Sequence, residues 1–482
     1  MLGWRSVYLG SVALRFVFGL ADSYIHPDEH FQSMEVLTHR LLGYNWTEAW
    51  EFTSKARSLM PLYAAYGPLV WLNHYMGLSP LQLWYLIRLG QLVVSWMMID
   101  WCIHRMLPTK PERVKATLFV ATSYITLAHQ SHLFSNCLES VLLMVAVFMI
   151  DDIRGSMHTH KWRMNAALAV VVAVGLFTRI TFPAFLIIPG WFVLQYWWNY
   201  PPIGFAAIIV FGLTCLGLVA GDSYLYGEPW TVAPLNNLKY NVSVDNLAQH
   251  GLHPYWTHIA VNLPQLLGPG IIFLFWGKAY KRTVPFLTVV SGLVFLSVVP
   301  HQEARFLIPL VPVACCCFNL DLGWVTPWLI KLWYLFNLAL AVLMGVFHQG
   351  GVVPAVDYLR QQRQVEEPIT QLWWRTYSPP TWMLADTSNQ YQFVKSSVAA
   401  SSSQLAVVDC MGMDPEEFTD YVNKYPKPVY VVMPQASFAT VESSLEGTVN
   451  KTWSFWYHYD LDHLDFSDTN TLHPGLSIFH II

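Results

Sequence analysis

The sequence predicts an all-α polytopic membrane protein with a small α/β domain at its C-terminus. Of its 482 residues, 54% are hydrophobic and 12% are charged, whereas soluble globular proteins have about 25% charged residues. About eleven apolar segments follow one another along the first 350 residues, several of them shorter than the roughly 20 residues of a typical spanning helix. Beyond this point the chain becomes polar and contains short strand-like runs.

The apolar segments begin at the N-terminus. Residues 4–22 form the first segment and lack an obvious small-residue cleavage site, so they are predicted to be a signal anchor. Prolines and a glycine interrupt the aromatic stretch 59–76, which is therefore interfacial, re-entrant or spanning. The other predicted spans lie near 81–103, 114–128, 137–151, 165–178, 182–198, 203–220, 258–277, 284–300, 306–320 and 325–347.

Basic residues in short connections predict the orientation of the spans. They concentrate in loops 104–115, 152–163 and 278–282, which all fall on the cytosolic side if the N-terminus is cytosolic. Three glycosylation sequons, at Asn45, Asn241 and Asn450, then fall on the opposite side. That side also receives loops 23–80 and 221–257, the junction 300–305 and the tail after residue 348.

The polar C-terminal region is predicted to be a separate lumenal domain. We place a membrane domain at 1–349 and the C-terminal domain at 350–482. The serine-rich stretch 396–403 is typical of a loop. Runs rich in valine, isoleucine and aromatic residues predict short strands, at Gln404–Val408, Pro428–Met433, Trp453–Tyr459 and Leu476–Ile482.

The most distinctive polar stretch, residues 24–36, directly follows the first apolar segment. Pro27 suits the first position of a helix, and Asp28 and Glu29 then occupy the first turn, where the helix dipole favours negative charge. The pattern predicts an amphipathic helix on the membrane surface, with Asp28, Gln32 and Glu35 on its polar face. From the residues alone, capping of a surface helix and a chemical role for the two acids are about equally well supported.

Further polar residues gather at the ends of predicted spans, where they are costly unless they are paired or functional. A structural ion pair is the ordinary explanation for each of them taken singly, so their common location on one predicted side is the informative feature. These residues include Glu139, Arg179, Asp222, His301, Glu303, Arg305 and His348.

Together these motifs resemble glycosyltransferase family 22, the dolichyl-phosphate-mannose-dependent mannosyltransferases. The resemblance rests on His-Pro-Asp-Glu-His-Phe-Gln from His26, Phe177-Thr178-Arg179, Gly-Asp-Ser-Tyr-Leu-Tyr-Gly from Gly221, Pro-Leu-Asn-Asn-Leu-Lys-Tyr-Asn from Pro234, and His-Gln-Glu-Ala-Arg-Phe from His301. It covers residues 1–355. It implies the GT-C fold, a multi-pass location in the endoplasmic reticulum membrane and a lumenal active site.

Within the family, His26 and the segment His348–Pro354 are most similar to the members that extend glycosylphosphatidylinositol (GPI) precursors. Those members add a fourth, α1,2-linked mannose to the third mannose of the precursor. The resemblance therefore implies a lipid-linked donor, a GPI acceptor and a membrane environment. It implies no cofactor and no metal. Nothing in the sequence predicts a protein partner, and no basic run suggests nucleic acid.

The implied reaction needs a base that takes the proton of the acceptor hydroxyl, because inversion at the anomeric carbon is a direct displacement. Asp28 is our first choice, with Glu29 as an alternative base or an orienting partner. The leaving lipid phosphate is a stable anion that cationic groups can bind. His301 and Arg305 are the candidates for it, Arg179 is a weaker one, and Glu303 orients Arg305 or forms a structural salt bridge. His26, His30, Asp222 and His348 complete the predicted substrate-binding set.

Three alternatives stay open at the level of sequence. The first is another reaction of the same family, in which the acceptor is the second mannose of a GPI precursor or an N-glycan. The second is a function outside the family, as a lipid or solute transporter. A transporter would place ionisable residues near the middle of the bilayer. The third is a metal site in the acidic run His458, Asp460, Asp462, His463, Asp465 and Asp468. The spacing of these residues does not match that of an EF-hand calcium loop, so a solvated acidic loop is favoured.

Overall fold

A computed structural model describes residues 3–242, 251–276, 280–362, 369–388, 391–395, 405–463 and 472–482. The described chain divides into two compact units, one made of residues 1–16, 49–66 and 88–339, the other of residues 17–48, 67–87 and 340–482. The second unit thus combines two N-terminal segments with the C-terminal region. The predicted division at residue 350 into a membrane and a lumenal domain stays a prediction.

Helices account for most of the described chain before residue 363, as the composition predicts. They are Trp4–Gly19, Glu35–Leu42, Trp50–Thr53, Met60–Ala65, Gly67–Met76, Pro80–Met106, Lys110–Thr122, Ser135–Gly155, Trp162–Thr178, Gly190–Asn199, Pro201–Tyr226, Ala233–Val242, Leu263–Leu267, Gly270–Phe275, Val284–Ser297, Leu310–Cys316, Thr326–Val342 and Val352–Gln362. Single turns of π-helix occur at His30–Met34, Ile125–His129, His258–Asn262 and Leu343–Phe347, and 3₁₀ turns at Phe182–Phe185, Ala304–Leu307, Gly323–Val325 and Thr381–Leu384.

Local sequence explains where several of these helices begin and end. Thr109 and Glu112 form a capping box at the start of Lys110–Thr122, which pairs two otherwise unsatisfied backbone donors. Pro201 provides a preorganised first position for Pro201–Tyr226. That helix ends where Gly227 adopts a left-handed conformation with φ of 72°, a conformation that glycine adopts without steric cost.

Three helices in the described part of the chain are long and apolar enough to cross a membrane, namely Pro80–Met106, Pro201–Tyr226 and Gly323–Phe347. Trp162–Thr178 and Val284–Ser297 are apolar but shorter. Other predicted spans are divided in the structure. For example, the segment 258–277 contains a π-turn and two short helices, and Gly268 and Pro269 separate the two helices. The structure supports a helical membrane protein, and the count of eleven spans stays a prediction.

The C-terminal region contains a six-stranded mixed sheet. Its strands are β1 (Ile369–Trp373), β2 (Tyr391–Lys395), β3 (Leu405–Asp409), β4 (Val429–Pro434), β5 (Val449–Phe455) and β6 (Leu476–Ile481), in the order β2-β3-β1-β4-β6-β5. The first four strands in this order are parallel, and β6 pairs antiparallel with both β4 and β5. Each residue of the central strand β3 is buried, as expected for a parallel strand covered on both faces.

The predicted strands correspond to four of these six. Those at Gln404–Val408, Pro428–Met433 and Leu476–Ile482 are confirmed to within one residue, although Gln404 itself lies outside the described residues. The third lies at Val449–Phe455 and not at Trp453–Tyr459. Strands β1 and β2 were not predicted, and the predicted loop 396–403 lies outside the described residues.

The acidic run near residue 460 is solvated only in part, whereas the sequence favoured a solvated loop. Asp462 is exposed. His458 and Asp460 are buried. His458 Nδ1 accepts a hydrogen bond from the Gly351 amide at 3.2 Å, and Asp460 accepts one from Gln349 Nε2 at 3.3 Å. Burial lowers the pKa of His458 to about 3, which keeps the ring neutral. Asp465 and Asp468 lie outside the described residues.

Candidate active site

The predicted site residues fall into two groups, one in each compact unit. In the unit that carries the sheet, the group contains His26, Asp28, Glu29, His30 and His348. In the other unit it contains Arg179, Asp222, His301, Glu303 and Arg305.

The opening motif forms a tight helical start, as its sequence predicts. The amides of His30 and Phe31 donate to the carbonyl oxygen of Pro27 at 2.9 and 3.0 Å. A π-turn, His30–Met34, follows and continues into the α-helix Glu35–Leu42. A single π-turn within a helix is often associated with a functional site. The predicted pattern of buried and polar positions therefore applies only partly, because the turn changes the helical period.

The two adjacent acids of this motif have different environments. The Asp28 side chain is 24% exposed and its Oδ1 lies 3.7 Å from Nδ1 of His26. The Asp28 amide also donates to this nitrogen at 3.2 Å. Glu29 is fully buried, and its Oε1 accepts a hydrogen bond from Trp84 Nε1 at 3.3 Å. Of the two carboxylates, only that of Asp28 is therefore accessible to a substrate hydroxyl in this structure.

His30 connects Glu29 to the C-terminal region of the chain. Trp382 Nε1 donates to His30 Nδ1 at 3.1 Å, so a neutral His30 carries its proton on Nε2. This Nε2 lies 3.7 Å from Oε1 of Glu29. The imidazole also contacts the Trp84 ring, with centroids 5.6 Å apart, and the Trp382 ring at 6.1 Å. Two buried indoles thus fix both the position and the tautomer of His30.

Glu35 was predicted on the exposed polar face, and this prediction is wrong. Its side chain is fully buried and accepts hydrogen bonds from the Thr381 hydroxyl at 3.0 Å and from the Trp382 amide at 3.1 Å. The amide of Thr47 donates to its second oxygen at 3.3 Å. Burial raises the pKa of Glu35 to about 8, although these hydrogen bonds lower it in part. Glu35 is therefore an internal link between the opening helix and the turn that carries Trp382.

Tyr377 joins the remaining two histidines of this group. Its ring centroid lies 6.0 Å from that of His26 and 5.3 Å from that of His348. The carbonyl oxygen of His348 also accepts a hydrogen bond from the Tyr24 amide at 3.4 Å. The structure therefore brings His26 and His348 to one aromatic cluster, and their contact with substrate stays a prediction.

In the other unit, Glu303 bridges two cationic groups. Its Oε1 lies 2.7 Å from Nε2 of His301 and accepts a hydrogen bond from Nη2 of Arg305 at 3.0 Å. Its second oxygen forms an ion pair with Nε of Arg305. Burial alone would raise the pKa of Glu303, but the hydrogen bonds with His301 and Arg305 hold it well below its usual value. The hydrogen bond to Glu303 in turn raises the pKa of His301, against the effect of burial.

Arg179 lies next to this triad, with Phe306 between two guanidinium groups. The Phe306 centroid is 5.1 Å from Cζ of Arg179 and 6.0 Å from Cζ of Arg305. Arg179 Nε lies 3.3 Å from the buried carboxylate of Glu139, and its Nη1 donates to Ser135 Oγ at 2.9 Å. Arg179, His301, Glu303 and Arg305 therefore form one cluster, and their roles toward a substrate stay a prediction.

Asp222 has a different environment from the other predicted site residues. It is buried, and its Oδ1 accepts hydrogen bonds from the amides of Leu59 and Met60 at 2.9 and 3.1 Å. These contacts give Asp222 a structural role in holding the segment before the helix Met60–Ala65. A direct contact of Asp222 with substrate stays a prediction.

Sequence analysis did not assign Glu35, Trp84, Tyr377 or Trp382 to the site. It also missed Arg57, which acts electrostatically on Arg179. The indoles and Tyr377 gave no signal, because 22 tryptophans and 24 tyrosines are distributed throughout the chain. Arg57 did offer one, since it is a cation in a loop that was already predicted to be lumenal. Among the described residues, no group of three or more His, Cys, Asp or Glu side chains is arranged to hold a metal ion.

Comparison with known proteins gives a consistent result at three levels. The model of the Alg9-like mannosyltransferase family matches residues 6–386. A relative from Candida albicans, named GPI mannosyltransferase 4, is 46% identical, with 99% of each chain covered. Relatives of the same name from Debaryomyces hansenii and Saccharomyces cerevisiae are 40% and 33% identical, and at least 97% of each chain is covered.

A solved structure is also similar. It is ArnT from Cupriavidus metallidurans bound to undecaprenyl phosphate, with a TM-score of 0.55 and coverage of 99% of this chain and 98% of that one. Its sequence identity is 11%, so the likeness concerns the fold alone. The predicted GT-C fold, with membrane-compatible helices and a C-terminal sheet, is thereby supported.

Proposed function

Because the chain belongs to the Alg9-like mannosyltransferase family, we propose that it transfers mannose to the third mannose of a GPI anchor precursor. The donor is dolichyl-phosphate-mannose, and the product linkage is α1,2. The observation that carries this proposal is the 46% identity, over nearly the full length of both chains, to a relative named GPI mannosyltransferase 4. Similarity over the whole chain includes the C-terminal region beyond the family model, which ends at residue 386.

Asp28 acts as the base in the proposed reaction. Transfer with inversion requires removal of the acceptor hydroxyl proton as the new bond forms. The partly exposed carboxylate of Asp28 suits this role, whereas the buried Glu29 suits a positioning role. Trp84 and His30 hold the Glu29 side chain in place. Because Asp28 directly precedes Glu29 in the chain, a fixed Glu29 also restricts the position of the Asp28 backbone.

Arg305 and His301 bind the lipid phosphate that leaves. A phosphate already carries stable negative charge, so its departure is assisted by cations without a proton donor. Arginine presents a planar fork of donors that matches two phosphate oxygens. Glu303 holds Arg305 and His301 in a fixed arrangement, and it favours the protonated form of His301, whose pKa it raises.

The proposed location is the endoplasmic reticulum membrane, with the opening motif and the C-terminal region in the lumen. The three sequons supply a test. Asn450 is exposed on β5, whereas the side-chain amide of Asn45 donates to Asp386 at 2.5 Å and to the Ser388 carbonyl at 2.6 Å. We therefore expect glycosylation at Asn450 and none at Asn45.

Glycosidase treatment of the single variants checks this expectation. Asn450→Gln should reduce the mobility shift on glycosidase digestion by one glycan, and Asn45→Gln should leave that shift unchanged. Glycosylation of a sequon introduced into the predicted cytosolic loop 106–112 would contradict the orientation.

Depletion of the protein in its own cells tests the identity of the acceptor. A lipid-linked GPI precursor with three mannoses should accumulate, because its further extension requires this enzyme. Accumulation of a two-mannose precursor would instead assign the third-mannose reaction to this chain. A truncated N-glycan precursor would move it to the N-glycan branch of the family.

A further inference from the structure

We propose that Arg57 and Arg179 form a pocket that binds a phosphate group of a lipid-linked substrate. This inference deepens the proposed function and rests on it for the identity of the substrates. The pocket is a cavity of about 80 Å³ in the unit that contains residues 88–339. Its polar lining comes from three separated segments of the chain and comprises Arg57, Ser58, Thr178, Arg179, Thr181 and Asn237.

The segment that carries Arg57 is held in place by helix ends that the sequence had marked as motifs. Tyr226 donates its hydroxyl to the carbonyl oxygen of Arg57 at 2.6 Å. Asn236 Nδ2 donates to the carbonyl oxygen of Lys55 at 3.1 Å. On the other side of Arg57, Asp222 accepts the amides of Leu59 and Met60.

These contacts explain why the motifs from Gly221 and Pro234 contain polar residues at the end of an apolar helix. Buried polar groups usually have hydrogen-bond partners, and here the partners are backbone atoms on both sides of one arginine. The motifs from Gly221 and Pro234 thus fix the position of Arg57 through its neighbouring backbone. A preorganised cation loses less entropy on binding an anion than a mobile surface cation does.

The charges around the pocket favour an anion. Glu139 is the carboxylate that pairs with Arg179, and Arg57 acts electrostatically on both Glu139 and Arg179. Arg57 and Arg179 thus place two guanidinium groups at one pocket, and two such forks of donors suit the oxygens of a phosphodiester. The hydroxyls of Thr178 and Thr181 already donate to the carbonyl oxygen of Val174 at 2.8 Å and to Glu139 Oε1 at 3.2 Å, so the guanidinium groups are the donors that a phosphate oxygen would meet.

The proposed donor and acceptor each contain a phosphodiester that could occupy this pocket. One is the phosphodiester of the dolichyl-phosphate-mannose donor, and the other is the phosphodiester within the phosphatidylinositol part of the acceptor. Both are single negative charges attached to a lipid. Kinetics with the two substrates varied independently distinguish them.

The test compares Arg57→Gln with Lys55→Gln in the purified full-length protein. Both variants lose one positive charge within the same segment, but the Lys55 side chain does not line the pocket and pairs with Glu228. Arg57→Gln should raise KM for one substrate tenfold or more, since a hydrogen bond to a charged group contributes roughly 1.5–3 kcal/mol. Lys55→Gln should leave both KM values within about twofold, as expected for an exposed ion pair.

A raised donor KM assigns the pocket to the donor phosphate, and a raised acceptor KM assigns it to the acceptor phosphate. Arg57→Lys, which keeps the charge and loses the fork, should give an intermediate KM for the same substrate. Unchanged KM values for both substrates in Arg57→Gln would overturn the proposal.

A binding measurement separates this inference from the proposed function. Dolichyl phosphate or phosphatidylinositol should raise the Tm of the wild-type protein more than the uncharged lipids dolichol and diacylglycerol do, and Arg57→Gln should reduce this difference. Equal protection of both proteins, or no protection of the wild type by either anionic lipid, would contradict the pocket. A wild-type protein that is protected by an anionic lipid but transfers no mannose would support the pocket and contradict the proposed function.

Discussion

Substitution of Asp28 by asparagine is expected to reduce mannose transfer about 100-fold or more, the typical contribution of a general base. Asparagine has the same size and still provides an oxygen for a helix start, but it cannot take a proton at neutral pH. Loss of a helix cap alone would cost about 0.5–2 kcal/mol of stability and would leave turnover measurable. The rate measured under saturating donor and acceptor, together with the Tm of the purified variant, separates the two roles.

Glu29→Gln is the paired control, because the two acids are adjacent in sequence and differ in exposure. Glutamine at position 29 keeps an oxygen for the Trp84 indole to donate to, so measurable transfer should remain. An inactive Glu29→Gln together with an active Asp28→Asn would reverse the two roles. Activity in both variants would place the base elsewhere, at Asp222 or Glu303.

Trp382→Phe is expected to lower kcat roughly tenfold to hundredfold while the KM values change little. Phenylalanine retains the ring but removes the N–H that donates to His30 Nδ1. A buried acceptor without its donor costs about 1–3 kcal/mol, which corresponds to this range of rates if the ordered arrangement is needed in the transition state. Without the donor, the His30 tautomer is no longer fixed and neither is the orientation of its Nε2 toward Glu29.

The matched control for Trp382→Phe is Trp373→Phe. Trp373 is a buried tryptophan of the same unit, and its indole donates to Gln371 within β1. Both variants lose one buried indole hydrogen bond, so similar losses of Tm are expected. A positioning role for Trp382 predicts that only Trp382→Phe also changes kcat and the dependence of kcat on pH. Equal effects of the two variants on kcat would mean that Trp382 contributes stability alone.

The sequence was most informative where one physical constraint dominates. Long apolar segments form helices because the bilayer interior leaves no other partner for backbone polar groups, and the helices Pro80–Met106 and Pro201–Tyr226 are where hydropathy predicts them. Strands β3, β4 and β6 were predicted because buried valine and isoleucine runs are typical of strands. Most residues of the edge strand β5 are exposed, among them Lys451, so its hydrophobic pattern is correspondingly weak.

Glu35 shows why periodicity alone was insufficient in the opening motif. Helical spacing placed Glu35 on the same face as Asp28, and an isolated amphipathic helix would expose it. The π-turn at His30–Met34 alters the period, and the turn Thr381–Leu384 covers this face with two hydrogen-bond donors. Contacts between residues 346 positions apart in the chain leave no trace in a local pattern.

The contacts within the second group of candidate residues are easier to anticipate from the sequence, because several of these residues are close together in the chain. His301, Glu303 and Arg305 lie within five positions of the chain, so their mutual contacts follow from local geometry. Arg179 joins them through Phe306, a contact that only the tertiary structure reveals. The same applies to Arg57, whose position depends on backbone hydrogen bonds with Tyr226 and Asp222 far along the chain.

Transfer by the purified protein is the most direct test of the central claim. The protein would be incubated with dolichyl-phosphate-mannose and a lipid-linked GPI precursor that carries three mannoses. The proposed function predicts a four-mannose product whose added residue is removed by an α1,2-specific mannosidase. No product from this acceptor, combined with efficient transfer to a two-mannose precursor or to an N-glycan precursor, would contradict it.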